Sequence, residues 1–383
     1  MGILKNDPYY DITKLWNYGC TYSMVFGQKS NGKTYQGLKK ILKTYTDTWE
    51  NGKRTGVYMR RNGVDFIQGR AERIVSGLVR DHLPEKMTEG YYTDIYYKGR
   101  RYWLCRYEDD KDGEQKRILD EKPFLQCVDL SGSVHDSSGD FPDVKIIHFD
   151  EFMSRTGYLP GEWETFRIHL STIIRDKDDV RIIMTGNTLN LYNCPYFDEM
   201  GLTRIPDQKQ GTIDLYTYGD SDTTVGVEYT GQRKTRAANR FFAFGRNDVD
   251  MVTKGSWDIR MYPHLPPETR IKPKDIMLSF YIEYKTYLLQ GDIISRGDED
   301  TYIYIHPKTT SLKKKDDDII YSTSGVIFGN ISPSWVYGTR PIDRLITKLF
   351  NNGKVCYSSN KVGEMVMGFL QWGTENRMLQ RRR

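Results

Sequence analysis

Apolar and polar positions change their period several times along the chain, and the changes mark out elements. Ser23–Phe26 is a short apolar run that leads into a glycine-containing loop, and a helix is expected from about Lys33 to Tyr45. Gly56–Arg60 reads as a second strand. Residues 91–107 (YYTDIYYKGRRYWLCRY) form aromatic-rich arms around Lys98–Gly99, the pattern of a hairpin. Glu108–Lys116 reads as a charged, exposed loop. Val144–Phe149 is apolar except at Lys145 and His148, as expected of a strand covered on both faces of a parallel sheet. Glu162–Ile174 has helical spacing, with Trp163, Phe166, Leu170 and Ile173 on one side, and Val180–Thr185 is another buried strand. Strands alternating with helices predict an α/β sheet, mostly parallel.

The texture then shifts. Asp207–Gly231 is rich in Gly, Asp, Thr and Tyr, and a basic cluster follows at Arg233, Lys234, Arg236 and Arg240. The expected division is a first domain over 1–207, a linker over 208–240 and a second domain over 241–383. In the second, Ile276–Ile282, Thr286–Gln290 and Tyr302–Ile305 suggest an antiparallel meander, Asp292 and the Gly297–Asp300 turn loop acids, Lys313–Asp318 a solvated turn, and Pro341–Phe350 and Lys361–Trp372 two helices. Composition agrees with a folded chain of 383 residues, since 38% are hydrophobic and 28% charged. A net charge of +5 is compatible with a nucleic-acid partner without identifying one. No apolar run is long enough to predict a membrane span, and the N-terminal residues lack the apolar stretch of a secretory signal. The five cysteines are scattered and include no CxxC pair, which points to a reducing compartment rather than a disulfide framework or a zinc site.

Residues 27–34, GQKSNGKT, fit the phosphate-binding pattern G-x-x-x-x-G-K-[ST]. Gly27 and Gly32 permit backbone conformations that turn successive N–H groups toward phosphate, so Gly27, Gln28, Lys29, Ser30, Asn31, Gly32, Lys33 and Thr34 are the expected nucleotide-binding residues. Lys33 would reach the outer phosphates, Thr34 would ligate Mg²⁺, and Lys29 is an extra loop cation. The strand VKIIHFDEF ends in Asp150–Glu151. Asp150 would hold Mg²⁺ with Thr34, and Glu151 would polarise the attacking water. A glutamate beside the magnesium aspartate favours hydrolytic motors over kinases and switches. Asn187, at the end of VRIIMTGN, would sense the terminal phosphate. The arginines that could act on a neighbouring subunit are Arg155, Arg167, Arg175 and Arg181; Arg175 ends the helix before the Asn187 strand. Arg60 and Arg61 could contact nucleotide or DNA.

The ordered set GQKSNGKT, VYMRR, IIHFDEF, IIRDKDDVRIIMTGN, CPYF and QRKTR resembles the DNA-packaging ATPases of small protein-primed podophages, densely from about Tyr22 to Arg240. The resemblance implies a P-loop NTPase of the ASCE type followed by a small α+β domain, an RNase H-like nuclease fold that has lost its metal site. It implies ATP and Mg²⁺ as cofactors and catalytic roles for Glu151, Arg175, Lys33 and Asn187, with Arg175 matching the trans-acting arginine. Implied partners are double-stranded DNA, the portal of a prohead, a packaging RNA and further copies of the chain in a ring, of five subunits on the family pattern, acting in the host cytoplasm and not at a membrane. Arg61, Arg101, Arg233, Lys234 and Arg236 are the expected nucleic-acid contacts. Where the family can carry a DNA-facing lysine, this chain has Asn62–Gly63. The competing readings are a terminase with an active metal-dependent nuclease, another P-loop ATPase or kinase, and a nucleotide-binding adaptor without catalysis.

Overall fold

The structure is a computed structural model of the chain, and it describes residues 10–110, 114–132, 141–154, 157–188, 191, 194–231, 262–296, 301–312, 318–324 and 330–381. Two compact units are present, Met1–Trp257 and Asp258–Arg383.

The first unit is built on one ten-stranded sheet. Its strands are β1 (Tyr22–Gly27), β2 (Thr55–Arg60), β3 (Asp94–Lys98), β4 (Arg101–Asp109), β5 (Gln115–Leu119), β6 (Leu125–Asp129), β7 (Val144–Asp150), β8 (Arg181–Asn187), β9 (Ile213–Tyr218) and β10 (Ser221–Tyr229). The spatial order is β3-β4-β6-β2-β7-β8-β1-β10-β9, with β5 paired to β4. From β6 to β10 every neighbouring pair is parallel. One strand, β8, stands between the strand that ends in the glycine loop and the strand that ends in Asp150.

Alternation along these strands feeds two cores. Met24, Phe26, Val57, Met59, Ile147 and Phe149 pack on one side with Phe166 of α5 (Glu162–Ile174) and Tyr196 of α6 (Pro195–Glu199). Val25, Tyr58, Ile146 and Ile183 pack on the other with Leu15 of α1 (Thr13–Trp16), Leu38 and Ile41 of α2 (Lys33–Asp47), Val75 and Leu78 of α3 (Gln68–Arg80) and Leu83 of α4 (Leu83–Met87). A parallel sheet needs this double cover, and it explains why β1, β7 and β8 read as nearly continuous apolar runs.

Part of the expected linker is strand. Residues 213–229 form β9 and β10, and β10 pairs with β1 in parallel register from Tyr22↔Val225 to Phe26↔Tyr229. Their apolar signal is weak because β9 lies at the sheet edge and is half-exposed. The segment expected as a charged loop, Glu108–Lys116, is likewise partly strand, since β4 runs to Asp109 and β5 starts at Gln115.

The second unit carries a six-stranded sheet: β11 (Ile276–Tyr284), β12 (Tyr287–Ser295), β13 (Thr301–Pro307), β14 (Ile320–Ser322), β15 (Ile331–Ser332) and β16 (Val355–Tyr357). β11, β12 and β13 form the expected antiparallel meander. β14 runs parallel to the free side of β11, and β15 parallel to β14. Numbered within the unit, the order 5-4-1-2-3 is that of an RNase H-like sheet, with β16 added beside β13. Helices α7 (Pro341–Asn351) and α8 (Asn360–Arg381) follow. Asp292, expected in a loop, is instead buried on β12. The Gly297–Asp300 turn and most of Lys313–Asp318 lie outside the described residues.

Candidate active site

Gly27, Arg60, Asp150 and Asn187 are the last residues of β1, β2, β7 and β8. Parallel strands place their carboxyl ends on one edge, where α/β proteins bind ligands. The glycine loop crosses that edge with positive φ at Gly27 (154°), Ser30 (60°) and Gly32 (96°). A side chain on Gly27 would run into the hydroxyl of Thr230. Thr230 follows β10, donates its N–H to Phe26 O and accepts from Asn31 Nδ2 at 3.0 Å. β10, expected as part of a linker, thus leads into the residue that braces the loop. Gly32 caps α2 without a side-chain hydrogen bond, so the amino end of a fifteen-residue helix faces the loop.

Lys33 is buried, and its ammonium donates to Gln28 O (2.6 Å), Asn31 Oδ1 (3.1 Å) and Gly27 O (3.3 Å), with Asn187 Oδ1 at 3.5 Å. Burial pushes its pKa down to about 8, against the opposing pull of Asp150. The Thr34 hydroxyl donates to the Asp150 carboxylate, 3.0 and 2.9 Å from its two oxygens.

Asp150 is 2% exposed. It accepts from Tyr58 Oη at 2.8 Å, from the Thr185 hydroxyl, and from Arg60 at 3.1 Å. Burial alone would raise its pKa; Arg60, His148, Thr185 and Tyr58 outweigh that and hold the carboxyl below the ordinary value. Thr185 gives its one proton to Asp150, so His148 Nε2, 2.8 Å from the Thr185 oxygen, is the donor there. Burial lowers the His148 pKa to about 4, so this imidazole is neutral near pH 7.

Glu151 sits one residue on, with φ 58° and an exposed side chain. A left-handed conformation is uncommon for glutamate and costs about 1 kcal/mol. Here it turns the carboxylate off the strand axis, where Arg60 bridges it at 2.6 Å. Arg60 therefore touches both acids, and Tyr58 Oη as well. It belongs to the site more intimately than its position at a strand end suggested.

Ser30–Tyr35, Asp150, Glu151, Gly186 and Asn187 line one open pocket of about 400 Å³, whose remaining wall comes from α3. Other expected residues lie elsewhere. Arg61, expected on nucleic acid, is turned inward: it pairs with Glu162 at 2.8 Å and donates to the carbonyls of Glu151 and Phe152. Strand alternation sends Arg60 and Arg61 to opposite sides, and Glu162 is itself buried, so Arg61 neutralises it. Arg175 follows the last turn of α5, exposed and with φ 47°. It precedes the amino end of β8, at the sheet edge opposite the pocket, and thirteen helical residues span about 20 Å. Arg181 donates to Cys20 O and Trp16 O, and Arg167 lies 3.4 Å from Glu164. Lys29 and Arg101 are exposed. Arg155, Arg233, Lys234, Arg236 and Arg240 lie outside the described residues.

A mostly parallel sheet, a glycine loop opening a helix, a strand interposed before the acidic pair and a polar residue ending that strand define a P-loop NTPase fold of the ASCE type. Residues 4–241 match the Podovirus DNA encapsidation protein (Gp16) family, and the chain belongs to it. The DNA packaging proteins of Bacillus phage PZA and Bacillus phage phi29 are each 23% identical to it over 232 residues, 60% of this chain and 60% of theirs. The matched region thus spans less than two thirds of those relatives. Among solved structures, the bacteriophage Phi-29 viral genome packaging motor assembly matches 96% of this chain and 100% of its own at 18% identity and TM-score 0.52. The Phi-28 gp11 DNA packaging motor matches 96% and 98% at 16% identity and TM-score 0.50. These likenesses concern the fold.

Proposed function

We propose that the chain is an ATP-hydrolysing motor that drives double-stranded viral DNA into a prohead through its portal, working as a ring of identical subunits in the host cytoplasm. The observation that carries this reading is the meeting of Lys33, Thr34, Asp150, Glu151 and Asn187 at one pocket. Membership of an encapsidation family supports the DNA cargo.

Thr34 and Asp150 suit Mg²⁺, since they offer a hydroxyl and an ionised carboxylate 2.9 Å apart and leave room for phosphate oxygens and water. Bound there, Mg²⁺ would offset charge developing on the outer phosphates. Lys33 exchanges its loop carbonyls for phosphate oxygens, and Asn187 holds the terminal phosphate. Glu151 leaves Arg60, orients a water and accepts its proton on a carboxylate oxygen. Arg175 lies too far along α5 to reach its own pocket, so its part in catalysis is on the next subunit of the ring.

The second unit is proposed to bind DNA or a partner rather than to cut. On β11 the outward positions are Ser279, Tyr281 and Glu283, and the first two are not metal-binding acids. Asp292 is already held by Ser279, Gln290 and His306. Arg101, at the exposed start of β4, remains the proposed nucleic-acid contact on the first unit.

The deciding measurement is steady-state ATP hydrolysis by the full chain, alone and with DNA and proheads. Hydrolysis stimulated by the two together is expected; none in any combination would reject the motor.

A further inference from the structure

The pocket lining falls into two groups of residues, and the phosphate chemistry uses one. Asp150, Glu151 and Asn187 mark where the terminal phosphate and the metal belong. The backbone N–H groups of the loop take the inner phosphates, so the rest of the ligand must leave away from these three residues. Apart from the loop, these three residues and Gly186, the lining that remains is Tyr35 with Ile74, Gly77, Arg80 and Asp81 at the end of α3.

This wall has a definite construction. Tyr35 Oη donates to Asp81 Oδ2 at 2.7 Å, which ties the end of α3 to the helix that carries the phosphate loop. Gly77 lies against the Tyr35 ring: a Cβ there would stand 3.2 Å from Tyr35 Cδ2 and 3.9 Å from an Arg80 guanidinium nitrogen. Glycine inside a helix costs about 1 kcal/mol relative to alanine, and here it keeps the wall flat. Ile74 adds an apolar surface. Arg80 extends over the glycine with its side chain 71% exposed, its Nε 3.4 Å from Asp81 Oδ1. A flat, partly apolar wall with a planar cation at its rim suits a stacked heterocycle. It offers little to a phosphate beyond that one cation.

We propose that α3 forms the nucleoside subsite: the ribose and base lie along Ile74 and Gly77, and the Arg80 guanidinium stacks on the base. This rests on the reading of the pocket as a nucleoside triphosphate site, and it assigns a base-holding role to a helix that carries no part of the phosphate-binding sequence.

The test compares ATP, ADP and inorganic tripolyphosphate, which keeps the phosphates and lacks the nucleoside, for binding to the full chain with Mg²⁺. Arg80→Ala removes an exposed side chain and should weaken ATP and ADP by about two- to fivefold, as expected for an exposed cation over an aromatic face. Gly77→Leu fills the wall and should weaken both nucleotides more strongly than Arg80→Ala does. Tripolyphosphate affinity should stay within about twofold in each variant. Loss of ATP and tripolyphosphate binding together, with ADP spared, would place Arg80 on the terminal phosphate and overturn the proposal. Unchanged nucleotide binding in both variants would put the base elsewhere and overturn it too. Lys33→Ala separates the underlying reading: if that variant binds all three ligands as the wild type does, the pocket is not a phosphate site at all.

Discussion

Each unit of the molecule buries aspartates, and they do different work. Asp150 in the first, and Asp292 and Asp343 in the second, are all nearly inaccessible, and all are held below the ordinary carboxylate pKa against the opposing effect of burial. Around Asp343 the shell is closed: Arg340 and Tyr321 donate at 2.9 and 2.7 Å. Around Asp292 it is closed by Ser279, Gln290 and His306. Asp150 is as well supported, yet one of its donors, Thr34, opens a helix that faces a pocket, and the next residue is a second acid on that pocket. A depressed, buried carboxylate is therefore no mark of catalysis by itself. The mark is convergence with other groups on a space that a substrate can fill.

The widest separation between the two kinds of carboxylate is expected from Glu151→Gln. Loss of a general base costs about 10²- to 10⁴-fold in rate, while nucleotide binding does not rest on this carboxylate, so turnover should collapse at unchanged ATP affinity. Normal turnover in this variant would erase the distinction. Asp343→Ala is the counterpart in the second unit. It leaves the Tyr321 hydroxyl and the Arg340 guanidinium without their acceptor, and a loss of about 2 kcal/mol in unfolding free energy is expected with ATP hydrolysis per folded molecule unchanged. Denaturant titration alongside an ATPase assay reads both. A third measurement uses Lys33. Its pKa near 8 must rise beside a triphosphate, so binding takes up a proton above that pH. ATP affinity should fall by up to about tenfold per pH unit above 8. Lys33→Arg keeps its charge there and should flatten the slope. A wild-type affinity independent of pH from 7 to 10 would contradict the burial of this ammonium.

The parts of the site that could be read in advance are contiguous in the chain. GQKSNGKT carries its own turn chemistry, and Asp150–Glu151 closes an apolar run, so both are visible within a dozen residues. Tyr58, Thr185 and His148 were not visible as a group. They come from β2, β8 and β7, and only the sheet order makes these strands neighbours. Periodicity says that such residues point inward and is silent about which strand lies beside which. Arg60 and Arg61 show a finer limit, because a double arginine at a strand end splits between two faces and only one lands on the acids. In the second unit, the strand expected over Thr286–Gln290 runs on to Ser295; Gly291 is mid-strand, where the ring of Phe280 occupies the space a side chain would need, and this carries Asp292 into the sheet. The wall on α3 had no motif to announce it.

The smallest expected effect concerns the closed shell of Asp292. His306 Nε2 lies 3.1 Å from Asp292 Oδ2, and this contact raises the imidazole pKa above 6.5 against partial burial and the nearby Lys308. On the Asp292 side, burial acts upward, and the bonds from His306, Gln290 and Ser279 prevail and take it below 3.8. The signs follow. A raised imidazole stabilises the folded unit fully below 6.5, and that contribution is lost as pH rises through its folded value. A lowered carboxyl contributes fully above 3.8, and its share is lost as pH falls through its folded value. The pair therefore supports the fold most between about pH 4 and 6.5, within the bounds set by the two ordinary values. Because His306 is partly exposed, solvent screens the pair and the change is modest. Other groups titrate over the same range, so the informative quantity is a difference between two proteins. The melting temperature should fall from pH 5.5 to pH 8 by more in the wild type than in His306→Gln, which keeps a hydrogen-bond donor but cannot be protonated. Equal falls would mean that the imidazole carries no charge in the folded state, and the shell of Asp292 would then be held by neutral donors alone.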